Sequence, residues 1–203
     1  TETYNTSGKL DYCEPSGYVG SEGARVVRLP YRKLVPHIVM KKLRAYPGVL
    51  DILQRERPDV ILFHGLCAWE LLTAKAYKAI NPSVRLYADS HEDFNNSARS
   101  FVSKYLLHGI YYRSVLHSAL DAIEKILCIS VETIDFVRDF YGVPPERIEF
   151  YPLGGFVYDD DEYARIRSLA RSDYEIADGQ ILFVQSGKMD ATKKILQSLH
   201  AFA

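Results

Sequence analysis

Cysteine is scarce in this chain. The three present, Cys13, Cys67 and Cys128, are odd in number and far apart. Neither a disulfide framework nor zinc-ligand spacing can be built from them, so a reducing, cytoplasmic compartment is expected. Also lacking is any run of about 18 apolar residues, so no segment reads as membrane-spanning. An excess of one charge sign is missing too. The formal net charge of -1 excludes a generic polyanion binder of the histone type, and no nucleic-acid partner is expected. No internal repeat or low-complexity tract occurs. Residues 1–24 are polar and glycine-rich without a strong strand or helix pattern, and the last residues stop in mid-helix without a cap. We expect an internal fragment of a longer protein.

What is present is alternation. A short strand candidate at 25–29 is closed by Pro30, and residues 32–56 are mainly helical, interrupted around Pro36 and Pro47-Gly48. Asp59-Val60-Ile61-Leu62-Phe63 is a continuous apolar run of the kind parallel sheets use. Further strands are expected at 84–88, 126–129, 147–151 and 181–184. Helices are expected at 68–80, about 98–124, from a cap at Ser130 to a stop at Gly142, at 160–172 and at 191–203. Strands alternating with helices predict a parallel α/β sheet.

The strands end alike, in polar residues or glycine: His64-Gly65, Asp89-Ser90-His91, Ser130, Gly154-Gly155 and Gly187-Lys188. In open α/β sheets ligands sit just beyond the carboxyl ends of the strands. At residues 86–94 a buried strand runs into Asp89, His91, Glu92 and Asp93, which read either as site chemistry or as a solvated capping loop. Gly187 to Lys194 reads as a strand–loop–helix turn. Lys193 and Lys194 in the first helical turn either meet an anion or splay into solvent, since helix N-termini attract negative charge. A bound phosphate would gain about 1.5–3 kcal/mol per charge-assisted hydrogen bond. The second glycine and Lys-Ser/Thr pair of a Walker loop are absent.

Three stretches together carry a resemblance: Arg57 to His64, Tyr87 to Glu92, and Ile129-Ser130-Val131-Glu132 with the later Tyr141 to Ile148 and Pro152-Leu153-Gly154. They resemble the N-terminal domain of retaining family-4 glycosyltransferases, and 181–203 resembles the opening of the second domain. The resemblance implies a GT-B fold, a Rossmann-like parallel sheet with helices on both faces plus the first βα unit of a second Rossmann-like domain. The implied boundaries are 1–156 for the acceptor-side domain, 157–179 for the connection and 180–203 for the start of the donor-nucleotide domain.

The implied activity is metal-independent transfer of a sugar, with retention, from a nucleotide-sugar donor to an acceptor hydroxyl. The nucleotide sugar is a substrate, so no cofactor is implied. His91 would lie beside the transferring sugar, and Gly187, Lys188 and Lys193 would hold the donor diphosphate. His64, Gly65, Asp89, Glu92, Ser130, Gly154 and Gly155 would line the cleft. Three departures stand out. Lys188 replaces the family's usual Arg, which keeps the charge but loses bidentate geometry. Lys194 replaces a glycine, and Leu153-Gly154-Gly155 stands where Asn-Gly is common.

Asp159-Asp160-Asp161-Glu162 reads as the acidic first turn of a helix rather than a metal triplet. His64, Asp89, His91 and Asp93 could hold a metal only if neighbouring strand ends bring them together. Arg32, Lys33, Lys41, Lys42 and Arg44, in a segment free of acids from residue 23 to 50, form either a solvated basic face or a patch for an anionic membrane. The related enzymes often glycosylate lipid-linked acceptors, so peripheral attachment is a further expectation, with a lipid-linked or polysaccharide acceptor. Three other readings remain open: a nucleotide-sugar 2-epimerase of the same fold, a non-catalytic GT-B-like binding protein and a metal-dependent phosphoesterase.

Overall fold

The computed structural model describes residues 2–4, 6–7, 10–12, 14–95, 97–184 and 194–202, without the side chains of 2–4, 10–12 and 202. The chain divides into two compact units, Thr1–Leu153 and Gly154–Ala203.

The first unit opens with two antiparallel pairs, β1 (Glu2–Tyr4) with β2 (Leu10–Tyr12) and β3 (Ser16–Val19) with β4 (Arg25–Arg28). The sequence shows no strand signal before residue 25 because β3 is exposed throughout and so lacks apolar alternation. Helices α1 (His37–Leu43) and α2 (Val49–Glu56) follow, separated where Pro47-Gly48 was expected to interrupt. The strand β5 (Val60–Phe63), helix α3 (Glu70–Ile80) and strand β6 (Arg85–Ser90) come next. The long helical stretch is wound in wide, π-type turns over Val102–Tyr112 and continues as α4 (Arg113–Ala119). It leads to β7 (Ile126–Cys128), α5 (Val131–Asp135) and β8 (Ile148–Phe150). Gly142, with φ of 72°, takes the left-handed conformation where the helical stretch after α5 stops.

β5 to β8 form one parallel sheet in sequence order, with Phe63 opposite Ala88, Asp89 opposite Leu127 and Cys128 opposite Phe150. This is the α/β, Rossmann-like arrangement of a GT-B domain, a parallel sheet flanked by helices. Because every crossover steps the same way and such crossovers are right-handed, α3, α4 and α5 gather on one face. There Leu86, Ala88, Ile126 and Cys128 pack against Leu71, Leu116, Phe136 and Val137, all completely or almost completely buried. Val60 and Leu62, which point to the other face, each remain 57% exposed.

The second unit contains α6 (Asp160–Asp173) and α7 (Ile195–Phe202). Asp159 caps α6 by accepting the Glu162 N–H at 2.8 Å, and Asp160, Asp161 and Glu162 fill its first turn. The acidic run therefore complements the helix dipole. No strand forms over Ile181 to Val184 among the described residues. An apolar β run becomes a strand only with a neighbour to pair with, and none is assigned there. The expected loop with Gly187, Lys188 and Lys193 lies outside the described residues.

A polar cluster sits inside the apolar core. His108 Nδ1 lies 2.8 Å from the Tyr141 hydroxyl, which is 3.3 Å from Cys67 Sγ. Burial pulls the His108 imidazole below its ordinary value. The Glu92 charge opposes that shift, and Arg44 and Lys42 reinforce it. The folded chain therefore binds fewer protons here than the unfolded one. The stability this contributes is complete above the unfolded value of about 6.5 and is lost as pH falls below it toward the depressed folded value. Urea midpoints measured from pH 8 down to 5 should fall accordingly, and His108→Gln, which still hydrogen-bonds but does not titrate, should flatten that dependence.

Candidate functional site

The carboxyl ends of β5 and β6 lie side by side because the strands pair in register. The Asp89 carboxylate, 14% exposed, joins them. Its Oδ1 accepts the Gly65 N–H at 2.7 Å, and its Oδ2 lies 2.8 Å from His64 Nδ1 and 3.6 Å from His91 Nε2. The two imidazole rings meet edge to face with centroids 4.8 Å apart. His64 is 78% exposed and His91 34% exposed, so both are open to a ligand.

The next residues hold the loop. Glu92 is buried, and its Oε2 accepts the Ser90 hydroxyl at 2.6 Å and the His91 N–H at 3.2 Å. Gly65 has φ of 81°, and a Cβ there would stand 3.6 Å from Glu92 Oε1. Glycine thus lets the chain turn left-handed while passing close to this carboxylate. Cys67 lies below. Burial, then the Glu92 charge, pushes its thiol well up, which makes it a packing group rather than a nucleophile.

The structure therefore brings His64, Gly65, Asp89, His91 and Glu92 together. Ser130 caps α5, as its place before that helix predicts, its hydroxyl accepting the Thr133 N–H at 3.2 Å. Gly154 and Gly155 belong to the second unit, where a Cβ on either would meet nothing within 4 Å. One ligand atom each of His64, Asp89 and His91 lie within 4.8 Å of one another, a donor set that could hold a metal ion. Tyr31 and Tyr46, which the sequence does not single out, stack with ring centroids 5.0 Å apart and line a cavity that His64 also lines. Only their spacing around the basic segment could have pointed to them.

Residues 5–154 match the sequence profile described as Glycosyltransferase Family 4. The chain belongs to this family. No curated protein matches it. A Glycosyltransferase Family 4 domain acts on a sugar donor and an acceptor. The strand ends that converge here are the edge where a Rossmann-like sheet presents ligands.

Glu92 accounts for the shape of that edge. Truncating it leaves the buried Ser90 hydroxyl and the His91 N–H without their acceptor, at about 1–3 kcal/mol for each unsatisfied group. Glu92→Ala should lower the urea midpoint correspondingly with an unchanged slope, whereas Glu92→Gln, which retains an acceptor oxygen, should lose less.

Proposed function

We propose that the chain is part of a longer, two-domain retaining glycosyltransferase that moves a sugar, a hexose, from a nucleotide-sugar donor to an acceptor hydroxyl without a metal. The observation that supports this best is the convergence of His64, Asp89 and His91 on the carboxyl edge of a Glycosyltransferase Family 4 sheet. Asp89 fixes the two imidazoles, and His91 hydrogen-bonds the transferring sugar. In the step itself the bond from the anomeric carbon to the diphosphate oxygen breaks as the bond to the acceptor oxygen forms on the same face. The acceptor proton passes to the leaving diphosphate. Gly187, Lys188 and Lys193, in the start of the donor-nucleotide domain, hold that diphosphate and stabilise its developing charge.

A second reading has an observation of its own. The His64, Asp89 and His91 ligand atoms stand close enough for a divalent metal, as a phosphoesterase would need. The test is transfer by the longer protein from nucleotide sugars with and without EDTA. Turnover indifferent to EDTA, and nucleoside diphosphate binding that Lys193→Ala weakens, is the expected result. Loss in EDTA restored by zinc, without nucleotide binding, sinks the transferase reading. His91→Ala should lower kcat by about 10²–10³-fold, the usual loss when a positioned hydrogen-bonding group is removed.

The acceptor is proposed to be lipid-linked or part of a polysaccharide, met at the cytoplasmic membrane face. Among the described residues no helix is long and apolar enough to cross a membrane. Leu34, Val35, Ile38 and Val39 are exposed on and before α1, beside Lys33, Lys41, Lys42 and Arg44. Apolar residues next to basic ones suit an anionic interface, where each charge adds about 1 kcal/mol. Co-sedimentation with phosphatidylglycerol vesicles should fall when Leu34 and Ile38 are replaced by Asn. Unchanged binding would exclude this face.

A further inference from the structure

His64 belongs to two spaces. Beyond the strand-end site it lines a cavity of about 670 Å³ bounded by β4, α1 and the end of β5, the size of a small-ligand pocket. Lys41, Lys42 and Arg44 line the same cavity, together with Tyr31 and Tyr46. Its one carboxylate, Glu70, is occupied on both oxygens, by the Tyr46 N–H and the Thr73 hydroxyl. Among the described residues neither Lys42 nor Arg44 forms a salt bridge. Lys42 and Arg44 thus face a carboxylate that is already engaged.

The cationic wall is held in place. At the end of α1, Leu43 O accepts the Trp69 N–H and the Tyr111 hydroxyl, each at 3.1 Å. Lys42 O accepts the Tyr112 hydroxyl, and Met40 O accepts the Arg44 N–H at 2.8 Å. Burial raises the Tyr111 phenol to about 12 and Tyr112 further, so both remain protonated donors. A helix C-terminus ordinarily stabilises nearby cations through its free carbonyls. Here the Met40, Lys42 and Leu43 carbonyls have other partners, and the Lys42 and Arg44 charges are open to an external anion.

We propose that this cavity is the acceptor subsite and takes a phosphate ester, the phosphate held by Lys42 and Arg44 and the sugar or polyol against the Tyr31–Tyr46 stack. Arg44 supplies the planar fork suited to a phosphate, and Lys42 acts as a point charge. His64, shared by both spaces, places the acceptor next to His91. The proposal rests on the glycosyltransferase reading. The phosphate could belong to a soluble sugar phosphate or to a lipid headgroup.

Binding of glucose 6-phosphate to the 203-residue chain, with free glucose as the uncharged control, tests this without turnover. Lys42→Gln and Arg44→Gln should each weaken it about tenfold, one charged hydrogen bond's worth. Arg99→Gln, exposed and outside both the lining and the basic segment, should leave it unchanged. The substituted side chains are exposed, and superimposable unfolding curves would verify that the variants fold. Vesicles containing phosphatidylglycerol form the second arm. Binding of these vesicles alone, lost in the Lys42 and Arg44 variants and kept in the Arg99 variant, supports the cavity with a lipid headgroup as its phosphate. Binding of the sugar phosphate alone, with the same pattern, supports it with a soluble acceptor. Equal affinity in all variants, equal affinity for glucose, or binding in neither arm overturns the proposal. If the longer protein transfers nothing from nucleotide sugars while the phosphate pattern holds, the cavity stands and the transferase reading fails.

Discussion

The rest of the site depends on one carboxylate joining two strand ends. Asp89 closes β6, the strand lying between β5 and β7, and its two oxygens take the backbone of Gly65 and the ring of His64. Alternation along a strand makes this possible. Asp89 shares the open face with Val60 and Leu62, whereas Ser90 is fully buried on the helix-covered face. Consecutive residues therefore do different work. Asp89 organises the imidazoles, and Ser90 with Glu92 ties the following loop to the core. Moving the register by one residue would exchange these roles and lose both.

Behind this edge the core accepts an unusual load of polar groups. Glu92, His108, Tyr141 and Cys67 are all buried. Such groups are tolerated only when paired, and the pairs here are short: Ser90 to Glu92, and His108 to Tyr141. Their charges are also felt across elements. The negative Glu92 and the positive Arg44 act in opposite directions on His108 and on Cys67. The site loop and the end of α1 thus share an electrostatic environment, although one follows β6 and the other precedes α2.

Much of this was legible in the sequence, for definite reasons. Residues 59–63 and 84–88 read as strands because they are apolar runs with polar stops, and Gly142 before Pro144 marked the end of a helical stretch. The polar strand ends pointed to the right edge. Partner choice was not legible. Ser130 could be read as the cap of its own helix, but nothing in the spacing pairs His64 with Asp89. The basic segment was visible as charge, but a linear pattern cannot show that Lys41, Lys42 and Arg44 surround the same space as Tyr31 and His64. The strand expected over 181–184 failed for a related reason: an apolar run records β propensity, and pairing is supplied by another part of the chain.

The distribution of charge gives the proposed chemistry a division of labour. At the strand ends the fixed charge is the Asp89 carboxylate, flanked by His64 and His91. A carboxylate cannot stabilise negative charge growing on a leaving diphosphate; placed there it would oppose it by Coulomb repulsion. Lys41, Lys42 and Arg44 line the cavity that His64 also lines. On the proposed reading Lys42 and Arg44 are committed to the acceptor. Charge for the departing group then has to be supplied by a separate segment, and the lysines of residues 188–194 are the basic cluster that the sequence offers for it. In the proposed enzyme the first unit, with its Asp89-centred edge, orients both sugars, and the chemical step draws its cations from the segment at 188–194.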